Sequence, residues 1–241
     1  MNDDLEQLLI NLKLKKIREI LPASLERAET EGSSYTELLL RLFREEYQDR
    51  EMRYLSHRIR RARLPEPWTL ESFPWDRQPG VQRAVLEELA LLSFVERASN
   101  IVFIGHTGTG KTGLSIGLLR KALESGKRGL FVKAQDLFDE MYASLADRSS
   151  RKLLKRLASL DLLVIDEMGY LNLRPEQSNI FFKLMEERYG RKATIITTNL
   201  DYEEWYAFLG QKQMVGALLD RLRHRCTTVR IDGPSLRQPE E

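Results

Sequence analysis

The octapeptide Gly105-His106-Thr107-Gly108-Thr109-Gly110-Lys111-Thr112 completes the spacing G-x-x-x-x-G-K-[ST]. Its chemistry is the holding of a phosphate chain. Glycines let successive backbone N–H groups close around phosphate oxygens, and the helix that follows adds the positive end of its dipole. In this pattern Lys111 reaches the outer phosphates of a nucleoside triphosphate. Thr112 offers a hydroxyl oxygen to Mg²⁺, a hard cation that prefers oxygen ligands. Residues 105–113, closing on Gly113, are the expected cradle. A chance glycine-rich turn would also have to supply the lysine, the threonine and the apolar run Ile101-Val102-Phe103-Ile104 ahead of them.

A second constellation closes the run Leu162-Leu163-Val164-Ile165, where Asp166 and Glu167 stand side by side. Ligands in open α/β sheets bind at the carboxyl ends of strands, so both acids should emerge beside the phosphate loop. Asp166 is the expected Mg²⁺ partner, directly or through water. Glu167 is the expected base that polarises an attacking water. The run Thr194–Thr198 ends in Asn199, which either orients that water and senses the γ-phosphate or simply forms a turn. Asp220-Arg221-Leu222-Arg223-His224-Arg225 is an arginine-dense helix end. It either aims a guanidinium at a neighbouring subunit's γ-phosphate or complements its own helix dipole.

Positioning these groups calls for a parallel sheet. Strands are expected at 101–104, 130–133, 162–166, 194–198 and 228–231, and helices near 111–124, 135–146, 151–159, 176–189 and 214–223. Gly126 and Gly190 are the expected C-terminal caps. Strands that alternate with helices and are apolar throughout imply a mainly parallel, five-stranded sheet covered on both faces. Ahead of it, residues 1–64 show no strand signal and carry apolar positions at helical spacing, such as Leu5, Leu8, Leu9 and Leu12, then Leu38, Leu39, Leu42 and Phe43. Gly32-Ser33-Ser34 breaks that module, and Ser34 with Glu37 spells the capping box that restarts it. Residues 65–80 hold Pro65, Pro67, Pro74 and Pro79, which exclude a continuous helix and read as an extended connector. The expected organisation is a helical domain at 1–64, the connector, and an α/β domain at 81–241.

The 38 Lys and Arg against 36 Asp and Glu leave a formal charge of +2, so placement of charge says more than its sum. Arg58, Arg60, Arg61 and Arg63 crowd together, and Arg148, Arg151, Lys152, Lys155 and Arg156 share a stretch without an acid. The single cysteine, Cys226, excludes an internal disulfide and fits a reducing compartment. With an acidic opening and no apolar run near the length of a membrane span, a cytoplasmic protein without a membrane partner is expected.

With the stretches LLINLKLK from Leu8, Leu70-Glu71-Ser72-Phe73, LLVIDEMGYL from Leu162, TIITTNL from Thr194 and ALLDRL from Ala217, these motifs resemble the IstB-type transposition helper ATPases. That family lies close to the DnaC and DnaA branch of the AAA+ superfamily, and the resemblance covers nearly the whole length. It implies a P-loop AAA+ core with ATP and Mg²⁺ as cofactors. Lys111 and Thr112 would hold phosphate and metal, Asp166 and Glu167 would be the Walker-B pair, and Asn199 the sensor. Arg221, ahead of Arg225, would be the arginine donated between subunits. Two positions depart from the family pattern: its His after GKT is Gly113 here, and its terminal G-x-S-Y-R reads Gly233-Pro234-Ser235-Leu236-Arg237. The ten residues after Ile231 are too few for the helical lid of most AAA+ proteins. The connector or a neighbouring subunit should therefore help enclose the nucleotide, with Phe73 and Trp75 either flanking adenine or packing on the core.

In such initiator-like proteins a helical insertion after the second strand tracks DNA backbone. Here that region is 134–156, and Arg148, Arg151, Lys152, Lys155 and Arg156 are the expected duplex contacts, cations that give salt-dependent, sequence-independent affinity. A merely solvated helix face is the alternative. The Arg58–Arg63 run either meets DNA or lies against an acidic neighbour. The resemblance thus implies a homo-oligomer on duplex DNA, with ATP at subunit interfaces, that recruits a transposase. A replicative helicase loader is the second reading. A small-molecule kinase would need an acceptor pocket and a mobile lid, and a non-hydrolysing scaffold would have no use for Glu167.

Overall fold

Three helices account for most of the first 57 residues: α1 (Asp3–Asn11), α2 (Lys15–Glu31) and α3 (Tyr35–Ala62). Helix α2 stops where Gly32 turns left-handed, φ 64°, and the Ser33 N–H returns to the Ala28 carbonyl at 3.0 Å. The capping box then restarts the chain. The Ser34 N–H donates to Glu37 Oε2 at 2.8 Å, and the Glu37 N–H to Ser34 Oγ at 3.3 Å. The start of α2 has no cap of its own. Glu46 of α3 supplies one, accepting from the Lys16 and Ile17 N–H groups at 2.7 and 3.2 Å. Leu9, Ile17, Leu21 and Leu42 form the small core, whereas Leu39 and Phe43, on another side of α3, are exposed.

The computed structural model describes residues 3–169, 173–210 and 212–237. They form two units that part between His57 and Arg58. In the second unit α4 (Arg83–Leu89) and α5 (Ser93–Glu96) precede β1 (Asn100–Gly105) and α6 (Lys111–Glu124). Then come β2 (Gly129–Lys133), α7 (Ala134–Ala146), α8 (Ser150–Ala158) and β3 (Leu162–Met168). The chain continues through α9 (Pro175–Arg188), β4 (Ala193–Thr198), α10 (Trp205–Leu209), α11 (Lys212–His224) and β5 (Cys226–Ile231). All strands pair in parallel in the order β2-β3-β4-β1-β5.

Because β4 lies between β1 and β3, the phosphate loop, the acid pair and Asn199 leave three adjacent strands at one end of the sheet. The central strands β1, β3 and β4 are covered on both faces, and Ile101, Val102, Phe103, Leu163, Val164, Ile165, Ile195 and Ile196 are all buried, whereas the edge strand β5 is not apolar throughout and exposes Thr228 and Arg230. No helix among the described residues is long and apolar enough to cross a membrane. The connector is shorter on extended chain than its prolines suggest. It makes a 3₁₀ turn at Trp75–Arg77 and buries Leu70 and Phe73. Arg58 is committed locally, its Nε donating at 2.9 Å to the Leu123 carbonyl at the end of α6.

Candidate nucleotide site

The loop between β1 and α6 turns on Gly110, whose φ of 89° suits a residue without Cβ, and a Cβ there would meet the Phe73 ring at 2.7 Å. The Lys111 ammonium folds back on the loop, donating to the Gly105 and His106 carbonyls at 2.7 Å each. Burial lowers its pKa; the Asp166 charge opposes that shift and Arg237 adds to it. A phosphate chain would offer the ammonium an anionic partner in place of two neutral carbonyls.

Asp166 stands 1% exposed at the end of β3. Its Oδ1 accepts from Thr112 Oγ1 at 3.0 Å and from Thr197 Oγ1 at 2.5 Å, yet burial still raises its pKa, with Glu167 contributing. The Thr112 hydroxyl and the Asp166 carboxylate form an all-oxygen donor pair, which fits Mg²⁺. A bulge in the β3–β4 register lets Glu167 adopt φ 61°, with its N–H donating to Thr197 Oγ1 at 3.0 Å. The Glu167 carboxylate projects to solvent and pairs with Lys133 Nζ at 3.1 Å, which raises the lysine's pKa. Asn199 Oδ1 is buried without a partner. Thr197 lies within TIITTNL without an assigned role there, and Lys133 belongs to no motif. Their signals were a polar pair closing an apolar strand, and a lysine at the β2 position paired with Asp166.

Two cavities flank the loop. One, of about 330 Å³, is lined by Thr107, Lys111, Thr112, Glu167, Asn199 and Arg237. The other, about 300 Å³, lies among Glu66, Trp68, Phe73, Arg77, Gly113 and Leu236. Phe73 therefore borders the site, but its companion is Trp68; Trp75 packs edge-on to Phe73 at 4.9 Å and bonds the Leu70 carbonyl. Gly113 has a physical role here, since a Cβ would stand 3.3 Å from the Trp68 ring.

Arg221 of α11 and Arg225, just after that helix, do not join these groups. The Arg225 carbonyl accepts from the Asn100 N–H, at the opposite end of β1 from the loop. Five residue steps of strand, roughly 17 Å, separate the two ends. Arg221 pairs with Glu186 at 3.3 Å beside a cavity of about 370 Å³ between α9 and α11. The basic cluster is separate again. Helix α8 buries Leu153, Leu154 and Leu157 and turns Arg151, Lys152, Lys155 and Arg156 outward, with Arg148 in the preceding loop. Arg156 pairs with Glu140 at 2.5 Å; among the described residues the other four have no carboxylate within ion-pair distance. Tyr170 and Leu171, which close the β3 motif, lie outside the described residues.

A Pseudomonas aeruginosa protein named for insertion sequence IS21 and for ATP binding is 36% identical over 238 residues, spanning 99% of this chain and 90% of its own length. The crystal structure of DnaI superimposes with a TM-score of 0.60 at 20% identity, over 69% of this chain and 92% of that one. The replication initiator DnaA, bound to AMPPCP and single-stranded DNA, gives 0.58 at 22% identity, over 70% of this chain and 51% of its own. These two likenesses show the fold alone, a P-loop α/β core. Residues 7–241 match the family described as IstB-like ATP binding protein, and the chain belongs to that family of insertion-sequence ATP-binding proteins.

Proposed function

We propose that this chain is a Mg²⁺-dependent ATPase that oligomerises on duplex DNA, with ATP between subunits, and recruits and activates a transposase. The observation that carries the proposal is the geometry of the two sheet ends. Lys111, Thr112, Asp166, Glu167 and Asn199 converge at one end, while Arg221 and Arg225 stand at the other, out of reach of the same cavity. A second subunit would bring the missing cation.

Loop N–H groups and Lys111 bind and orient the triphosphate, and Thr112 with Asp166 would hold Mg²⁺, which when bound would neutralise charge on the phosphate oxygens. Asn199 orients the water. Glu167 accepts that water's proton as its oxygen bonds to the γ-phosphorus; the bond to the bridging oxygen breaks, and its electron pair leaves on ADP. In a neighbouring protomer, Arg221 or Arg225 stabilises the charge on the transferring group. The outward face of α8 carries the cations that would meet DNA phosphates, and the DnaA relative is known bound to single-stranded DNA. The insertion-sequence names of the full-length relatives support a transposase as partner.

Complementation tests the shared site. Glu167→Gln should retain ATP, trap oligomers on DNA, and lose about 100-fold or more in turnover. The double variant Arg221→Ala/Arg225→Ala should also be inactive. Mixed, the two should recover part of the turnover, because an interface that sets the nucleotide site of the arginine variant against the arginines of a Glu167→Gln subunit holds both an intact base and an intact arginine. Absence of recovery, or full activity of the double variant as an isolated monomer, sinks the shared site. Turnover stimulated by long duplex DNA, with no helicase present, is the companion expectation.

A further inference from the structure

Gln78 belongs to no motif, yet it is 1% exposed and its amide serves two other chain segments. Its Nε2 donates to the Thr109 carbonyl inside the phosphate loop at 3.2 Å and to the Pro234 carbonyl, beyond β5, at 2.9 Å. Two carbonyl acceptors fix the orientation of the amide, since a flipped side chain would set its oxygen against both. The remaining Oε1 is buried without a partner and packs on Gly233 so closely that any Cβ there would overlap it. The three segments interlock around this point. The Leu236 N–H donates to the Gly108 carbonyl at 2.8 Å, Arg77 Nη2 reaches the Leu236 carbonyl at 3.5 Å, and Ser235 lies over Gly108. The next residue, Arg237, borders both cavities beside the loop.

We infer that Gln78 is a positioning residue of the nucleotide site: it clips the phosphate loop to residues 232–237 and thereby holds Arg237 beside the phosphate chain of bound ATP. The inference rests on the ATP-site reading above and deepens it. Gln78 touches no phosphate; it acts through Thr109 on the loop and through Pro234 on Arg237. An amide suits the task because it is neutral and offers two N–H donors to two fixed carbonyls. Without it, both carbonyls lose their partner in a buried place, and they regain one only if loop or tail moves toward water.

Gln78→Met keeps the volume and removes the donors. ATP affinity should fall about tenfold, the loss expected for one or two buried hydrogen bonds. Hydrogen exchange at the Leu236 amide should accelerate by a similar factor in the nucleotide-free protein, while the amides of Val102 and Ile195 exchange as in wild type. That pattern separates a local release from a general loss of stability. Arg237→Ala should weaken ATP to the same degree, and the double variant should be no worse than either single one, because both act along one route. Unchanged ATP affinity in Gln78→Met, or full additivity of the two losses, would overturn the clip. If the wild-type protein itself binds no ATP, the site reading fails, and the Leu236 amide still reports whether Gln78 holds the tail.

Discussion

The two ends of the parallel sheet each bury one charged group, and they treat it differently. At the carboxyl end Asp166 accepts from two threonine hydroxyls, and burial still pushes its pKa upward. The groups around it are left wanting: Asn199 Oδ1 has no partner, Lys111 has only loop carbonyls, and Glu167 sits in a left-handed conformation. At the amino end Arg188 is just as buried, but its guanidinium donates to Thr194 Oγ1 at 3.0 Å and to the carbonyls of Leu157, Leu160 and Ala193. Burial draws its pKa down to about 10, which leaves it charged at neutral pH. A buried ion with its hydrogen bonds complete fastens strands and helices together. A buried ion among incomplete neighbours marks where a ligand belongs.

Breaking the amino end should cost the most. Arg188→Met removes the donor from three carbonyls and one hydroxyl, and each unpaired buried group costs about 1–3 kcal/mol. A loss of at least ~3 kcal/mol in unfolding free energy is therefore expected, read from urea denaturation. ATP affinity of the folded protein should stay at the wild-type value. An unchanged denaturation midpoint would remove the contrast between the ends.

Much of the carboxyl end was readable because its chemistry uses short, contiguous spacings. Gly105–Thr112 and Asp166-Glu167 each lie on one turn or one strand end, and apolar runs of four or five residues marked the strands that carry them. Arg188 was unreadable, since its partners come from α8, the residues after it, and β4, and nothing in Glu186-Glu187-Arg188 differs from a solvated helix end. Thr197 and Gln78 escaped for the same reason. Their roles depend on register and on a tail that returns across the loop, information that resides in tertiary contacts. The N-terminal helices show a milder form: the Ser34–Glu37 cap is local and legible, whereas Glu46 caps a helix thirty residues upstream.

A smaller effect is expected at Asp166. Burial raises its folded pKa above the ordinary 3.8, so between those values the native state binds more protons than the unfolded chain. This group's contribution to stability therefore falls as pH rises through the folded pKa and recovers on acidification toward 3.8. Asp166→Asn should abolish that component of the pH dependence. At pH 7 the nucleotide-free variant should be as stable as wild type or better by up to ~1 kcal/mol, and its Mg²⁺-dependent ATP binding should weaken at least about tenfold. A destabilised Asp166→Asn protein would mean that the acid serves the fold as Arg188 does.

The finest probe is Glu167, where φ is 61°. At ordinary helix or strand positions glycine is less stable than alanine by about 0.5–1 kcal/mol, because the unfolded glycine chain has more freedom to lose. At position 167 that order should invert. Glu167→Gly and Glu167→Ala lose the same carboxylate and the same half-exposed pair with Lys133, so those losses cancel between them. What remains is the left-handed backbone, which costs a residue with Cβ about 1–2 kcal/mol and glycine almost nothing. The glycine variant should therefore denature at higher urea, by roughly 0.5–1 kcal/mol, while both variants lose turnover alike. If alanine proves the more stable, the backbone at Glu167 stores no strain. The carboxyl end would then owe its open valences to Asn199 and Lys111 alone.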